Sequence, residues 1–332
     1  MNKTIKLVIC FLLAVSQIIS AAHAQSPTET PLVHDPVMIK QDSVYYLFCT
    51  GKGISCYTSK DMRFWQKEQS VFSKIPEWIT AKFPNFKGDF WAPDIHFFHG
   101  KYYLFYAVSR FGKNTSCIGV ATNTTLNPAS PAYRWEDKGM LVQSVPGRDR
   151  WNAIDPAFIV DENNAAWLCF GSFWDGIKLV KLNNDISGID ESQTWFTLAS
   201  RPRDFTIADT LAGNGAIEAP FIFKHDKYYY LFVSFDYCCR GIKSNYKVMV
   251  GRSANITGPY VDKENKPMQY GGGSLVAEGG GKWAAVGHNA VYHFDNDDYI
   301  IYHGYNIENN GKPTLVVHKL SWDEQGWPVV EK

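Results

Sequence analysis

One hairpin-shaped motif recurs five times along this chain, and it restricts the possible folds more tightly than any other feature. The copies read His34-Asp35-Pro36 followed by VMIKQDSVYYLF, Trp91-Ala92-Pro93 followed by DIHFFHGKYYLF, Ile154-Asp155-Pro156 followed by AFIVDENNAAWLCF, Glu218-Ala219-Pro220 followed by FIFKHDKYYYLF, and His288-Asn289-Ala290 followed by VYHFDNDDYIIY. In each, an apolar run meets a turn cluster and a run rich in Tyr, Phe and Trp follows, which is the pattern of a β-hairpin. Pro36 and Tyr45 are nine residues apart, as are Pro93 and Tyr102, Pro220 and Tyr229, and Ala290 and Tyr299; the third copy carries one extra residue. The copies start 57, 63, 64 and 70 residues apart. Further strand-like stretches such as CIGVAT and IKLVKL follow the hairpins, so one repeat holds about four strands. Long amphipathic helical stretches are absent. Four-stranded units repeated radially make a propeller, and five repeats predict an all-β, five-bladed β-propeller. A two-sheet sandwich would explain the strands but not the repeated register.

In a propeller the innermost strands surround a central channel, and their beginnings meet at one mouth of it. Residues distant in sequence then become neighbours: His34 and Asp35, Trp91 and Asp94, Asp155, Glu218, and His288. A lone Asp before Pro usually belongs to a turn. Glu218 is more informative, because it stands between apolar neighbours in AIEAPF and Glu is rarely buried unpaired. Its position is awkward, one residue earlier in its copy than Asp35 and Asp155, and strand alternation turns adjacent side chains to opposite faces. Three carboxylates converging on one channel repel one another, and at least one proton affinity must rise. Glycoside hydrolysis needs that asymmetry: one carboxyl group protonated, another ionised.

Charge and targeting narrow the partners. The formal net charge is zero, and no Lys/Arg run marks a nucleic-acid face. A neutral substrate fits better than a polyanion. Lys3 and Lys6 precede a short apolar run at 7–19, and Ala22-His23-Ala24 has a small-x-small cleavage pattern. Residues 1–24 therefore read as a signal peptide, residues 25–332 as one catalytic propeller, and the protein as secreted or periplasmic, with no membrane contact after cleavage. Six cysteines remain beyond the signal, and Cys49, Cys117 and Cys169 lie in strand-like runs where free thiols pack as small hydrophobes; bridging of the adjacent Cys238 and Cys239 is left open. Asn114, Asn123 and Asn255 begin glycosylation patterns. Gly271-Gly272-Gly273 lacks the Lys-Ser/Thr of a phosphate cradle and reads as a turn.

The motifs HDP at 34–36, FWAPD at 90–94, NAIDP at 152–156, GSFWDGIKL at 171–179, IEAPF at 217–221, FVSFDYCC at 232–239, GRSANITGPY at 251–260 and GHN at 287–289 together give a resemblance to a known family. From His34 to the C-terminus the chain resembles glycoside hydrolase family 43, and within it the endo-α-1,5-L-arabinanases. The resemblance implies hydrolysis of arabinan with inversion of configuration. Asp35 looks like the general base, Glu218 like the general acid, and Asp155 like the carboxylate that modulates and orients the acid. His288 matches the histidine that reaches a channel metal ion, usually calcium, with waters as the other ligands. Trp91 and Phe111 look like aromatic walls for the sugars, and His34, Asn152 and Ser172 like polar contacts to sugar hydroxyls. The expected partner is arabinan or its oligosaccharides, bound by a monomer without an organic cofactor.

Three rivals were weighed. An exo-acting arabinofuranosidase or xylosidase of the same family would keep the carboxylates and close one end of the groove; the absence of an added C-terminal sandwich favours an open groove and internal cutting. A fructan-type hydrolase would carry Arg-Asp-Pro and Glu-Cys where this chain has Ile154-Asp155-Pro156 and Glu218-Ala219. A non-catalytic glycan-binding propeller has no need of three carboxylates at one mouth.

Overall fold

The computed structural model describes residues 27–204 and 206–331; the expected signal peptide at 1–24 lies outside them. Each repeat becomes one four-stranded antiparallel sheet, and the five sheets form a five-bladed propeller. Blade 1 is Val37–Gln41, Val44–Cys49, Ser55–Ser59 and Gln66–Lys67. Blade 2 is Asp89–Phe98, Lys101–Val108, Ser116–Asn123 and Glu136–Ser144, extended by the two-residue strand Gly51–Lys52. Blade 3 is Ala157–Val160, Ala166–Phe170, Ile177–Lys181 and Phe196–Ala199. Blade 4 is Ile217–His225, Tyr228–Phe235, Lys247–Ser253 and Ser274–Ala277, and blade 5 is Trp283–Phe294, Asp297–Asn306, Lys312–Trp322 and Pro328–Val330. A short helix, Glu77–Lys82, is inserted between blades 1 and 2. Among the described residues no helix is long and apolar enough to cross a membrane.

The turn clusters make the hairpins for a backbone reason. In four blades the two inner strands are joined by two residues, and the first is left-handed: Asp42, His99, Asp226 and Asp295 have φ between 47° and 57°. Asn164 (φ 60°) occupies the longer turn of blade 3. A positive φ here suits the right-handed twist of the strands, and Asp and Asn tolerate it best after Gly. The aromatic second strands are packed on both faces by neighbouring blades. Tyr45 to Cys49, Ala166 to Phe170 and Tyr229 to Phe235 are buried throughout, which is why they read as continuous apolar runs without alternation. Each large side chain buried there contributes about 1.5–3 kcal/mol.

The ring closes between blades 5 and 1. The Leu315 N–H donates to the Pro31 carbonyl (3.0 Å) and the Val33 N–H to the Pro313 carbonyl (3.2 Å), so the segment around Leu32, ahead of blade 1, joins the last blade.

The register of the fifth copy differs from the sequence alignment by one residue. The equivalent cross-strand pairs are Val37↔Phe48, Asp94↔Phe105, Ala157↔Cys169, Phe221↔Phe232 and Ala290↔Ile301. Asn289, not Ala290, therefore stands where the other copies have Pro, and His288 falls at the position of Asp35 and Asp155. Without a Pro to mark it, that register was hidden in the sequence.

Candidate active site

The blade openings share a backbone device. Asp35, Ala92, Asp155, Ala219 and His288 all adopt a left-handed conformation, with φ between 42° and 57°. In blades 2, 4 and 5 this residue and the next form a bulge that interrupts the ladder. A bulge re-aims side chains, which resolves the awkward offset of Glu218: it precedes the bulge in blade 4 and still lines the same pore as Asp35 and Asp155. Four of the five left-handed residues send their N–H to a side chain of the preceding blade. Asp35 donates to His303 Nδ1 (3.1 Å), Ala92 to Thr50 Oγ1 (2.8 Å), Ala219 to Asp155 Oδ2 (3.0 Å) and His288 to Ser234 Oγ (2.9 Å).

One cavity of roughly 470 Å³ sits at the pore mouth. Its lining includes Asp35, Asp155, Glu218, His34, Trp91, Phe111, Asn152, Ser172 and His288, so of the residues the sequence places at the mouth all but Asp94 are gathered there. Asp94 is not in the lining: it is buried, and its Oδ2 accepts the Phe158 N–H at 2.6 Å, joining blade 2 to blade 3. Asn152 Oδ1 is occupied by Ser116 Oγ (2.6 Å). Phe111 is 77% exposed at the rim. Trp174 is buried and donates its indole N–H to the Asp209 carbonyl, so it packs as a wall.

The three carboxylates stand in different environments. Burial works to raise Asp35, but His288 Nδ1 (2.9 Å) and His34 Nδ1 (2.7 Å) on its Oδ1 outweigh that and hold it well below the usual carboxylate range. Its Oδ2 accepts the Thr50 hydroxyl at 2.5 Å. Asp155 is pushed up to about 8, chiefly by burial; His288 opposes this and the charges of Glu218 and Asp35 add to it. Glu218 accepts Tyr246 Oη–H on Oε1 and Ser172 Oγ–H on Oε2, both at 2.8 Å. Burial alone would lower His288, yet Asp35, then Asp155 and Glu218, carry it up to about 9. At neutral pH the pore thus holds an ionised carboxylate at Asp35 and a protonated one at Asp155.

A cation at His288 was tested against these residues. With Nδ1 given to Asp35, only Nε2 is left for a metal. The groups of three or more ligating side chains found among the described residues are His34–Cys238–Cys239 and His34–Asp35–His303, and neither includes His288. The next residue, Asn289, is buried with both side-chain polar atoms lacking a protein partner. One imidazole nitrogen in a cavity that also holds three carboxylates fits a cation whose remaining ligands are water.

Thr50, Ser234, Tyr246, His303 and Tyr305 shape the site and carry no sequence signal; Ser234, His303 and Tyr305 lie on second strands, Thr50 just after one and Tyr246 just before a third strand, all outside the repeated opening. The four thiols Cys49, Cys56, Cys117 and Cys169 are buried and free, while Cys238 and Cys239 are bonded to each other on the cavity wall. Of the three glycosylation patterns, Asn114 and Asn123 are buried and Asn255 is exposed.

A ring of five blades with three carboxylates in one cavity under an aromatic rim defines a class, the propeller glycoside hydrolases. The family model for glycosyl hydrolases family 43 matches residues 24–328, and the chain belongs to that family. It is 49% identical over 300 residues to the extracellular exo-α-(1→5)-L-arabinofuranosidase of Cellvibrio japonicus, covering 90% of this chain and 86% of that one. It is 39% identical to the extracellular endo-α-(1→5)-L-arabinanase 1 of Bacillus subtilis, covering 93% and 92%. The structure of Cellvibrio cellulosa α-L-arabinanase complexed with arabinohexaose superposes with a TM-score of 0.89 at 48% identity, covering 91% and 96%.

Proposed function

We propose that this protein is a secreted enzyme that hydrolyses α-1,5-linked arabinofuranosyl chains with inversion of configuration. The observation that carries the reading is the division of labour among carboxylates in one cavity: Asp35 is held ionised by two histidines, while Asp155 is pushed up to about 8 by burial and by the charges of Glu218 and Asp35. Asp35 takes the proton of the attacking water as general base. Glu218, its two oxygens aligned by Ser172 and Tyr246, gives its proton to the leaving glycosidic oxygen. Asp155, buried and with a raised proton affinity, is the modulator of the pair: it keeps a proton in the pore and orients the acid. Trp91 and Phe111 offer faces to the sugar rings, and Asn152 and Ser172 offer polar groups to their hydroxyls; His34 lines the same cavity with both ring nitrogens engaged, Nδ1 by Asp35 and Nε2 by Tyr305. A calcium ion at His288 Nε2, completed by water, belongs to the proposal; when bound it would supply positive charge beneath the carboxylates. The enzyme acts as a monomer.

Internal cutting is the first reading of the mode of attack. Release from a chain end is the second, and the higher identity to an enzyme named as an exo-arabinofuranosidase favours it. Debranched arabinan incubated with the purified enzyme separates them: a ladder of mixed oligosaccharides early in the reaction means internal cutting, and a single short product from the outset means end release. Proton NMR of the first product reads the anomer; retained configuration would sink the assignment of Asp35 as base.

A further inference from the structure

No sequence signal marks Tyr305, yet it is the hub of the polar network behind Asp35. It is buried, and its hydroxyl oxygen accepts the Cys239 N–H at 2.7 Å. The same oxygen lies 2.9 Å from His34 Nε2 and 3.3 Å from His303 Nε2. The direction of each hydrogen bond follows from counting donors. His303 Nδ1 accepts the Asp35 N–H, so the His303 proton is on Nε2 and points at Tyr305. The phenol's two lone pairs are then taken by Cys239 and His303. Its own proton is left for His34 Nε2, and His34 must carry its hydrogen on Nδ1, 2.7 Å from Asp35 Oδ1. That oxygen also receives His288 Nδ1 at 2.9 Å, while Oδ2 receives only Thr50. Asp35 is thus held through its backbone N–H and both carboxylate oxygens, and a lone pair of Oδ2 stays free. The head of the chain is itself fixed, because the bond between Cys238 and Cys239 closes a small ring that contains the peptide bearing the Cys239 N–H.

We propose that Tyr305, anchored by the N–H of the bridged Cys239, is a positioning residue for the base: it sets the tautomer of His34 and thereby aims Asp35 Oδ2 at the attacking water. This rests on the reading of Asp35 as general base. A hydroxyl three bonds away from the chemistry matters because misdirecting a base forfeits part of the roughly 10²–10⁴-fold that a positioned one contributes.

The test uses the full mature chain and α-1,5-arabino-oligosaccharides. Tyr305→Phe lowers kcat by roughly 10- to 100-fold, a share of that contribution, and leaves KM within about twofold. His34→Gln does the same, and the double variant is no slower than the worse single one, since both changes remove one chain. A merely structural role would give additive losses. Tyr305→Phe strands two buried donors and lowers Tm in either case, so stability does not decide the matter. A second measurement needs no variant: nitrogen-15 NMR of the wild-type His34 ring shows the Nδ1–H tautomer. Additive losses, a wild-type kcat in Tyr305→Phe, or a His34 ring protonated on Nε2 overturns the inference. Asp35→Asn separates the two readings. Retained turnover in that variant brings down the base assignment and the inference with it; lost turnover with any of the contrary results above brings down the inference alone.

Discussion

Replacing Glu218 by Gln isolates one proton. The two hydroxyls that hold the carboxylate, Tyr246 on Oε1 and Ser172 on Oε2, can hold an amide of the same shape, because a hydroxyl both donates and accepts. The cavity keeps its form and the sugar its contacts, so KM for an arabino-oligosaccharide stays within about threefold. The lost quantity is general-acid assistance, about 10²–10⁴-fold in kcat, equivalent to about 3–5 kcal/mol of transition-state stabilisation. The loss depends on the leaving group. A sugar alkoxide needs the proton; a dinitrophenolate leaves without it. On a dinitrophenyl arabino-oligosaccharide, Glu218→Gln therefore falls less than about tenfold below the wild type, by the same Brønsted argument. Steady-state kinetics on both substrates give the comparison. Equal losses on the two, or activity on the oligosaccharide within tenfold of wild type, would refute Glu218 as the donor and turn attention to Asp155.

The other predictions concern the rest of the pore. Asp155, at about 8 when folded and roughly 3.9 when unfolded, binds one more proton in the native state between those values, so its contribution makes stability fall as pH rises across that window. Asp155→Asn abolishes that slope: activity is lost, while Tm relative to wild type rises by about a few degrees between pH 5 and pH 8. An unchanged difference in Tm at the two pH values counts against it. The wild-type rate itself declines as pH rises through about 8, where the pore loses its proton. Phe111→Ala, at an exposed rim, raises KM by about 2- to 10-fold, in keeping with one aromatic contact, and leaves Tm unmoved; an unchanged KM removes Phe111 from the sugar path. Calcium raises the Tm of metal-stripped protein, by about 2.7 kcal/mol of stability at a hundredfold excess over Kd, and His288→Gln removes that increment. A stripped protein whose melting ignores calcium has no such site.

Much of the architecture could be read in advance because the physics that builds it is local. The turn clusters at Asp42, His99, Asn164, Asp226 and Asp295 coincide with left-handed backbone, and aromatic second strands mark sheets packed on both faces. The candidate residues fell into one cavity because the repeat opening is the part of the blade nearest the pore. Two features were out of reach. The fifth register slipped because Asn289 replaces the Pro that marked the other copies. The supports of the site were invisible because Thr50, Tyr246, His303 and Tyr305 lie on or at the ends of second and third strands, where the sequence asks only for residues that pack. Their polar atoms acquire meaning from the neighbouring blade, and no one-dimensional pattern records which blade that is.

The same contacts seal the ring and set the chemistry. Asp155 Oδ2 accepts the Ala219 N–H, so the carboxylate with the raised proton affinity also fastens blade 3 to the opening of blade 4. Thr50 accepts the Ala92 N–H of blade 2 while donating to Asp35 in blade 1. His303 receives the Asp35 N–H across the seam where the propeller closes. A blade that shifted would re-aim an acid, a base or both, and a five-fold ring allows no single blade to shift without breaking such a bond. Rigid closure is therefore what holds mutually repelling carboxylates together. It follows that substitutions at these junctions change stability and rate together, whereas those at Phe111 or on Glu218 itself separate the two.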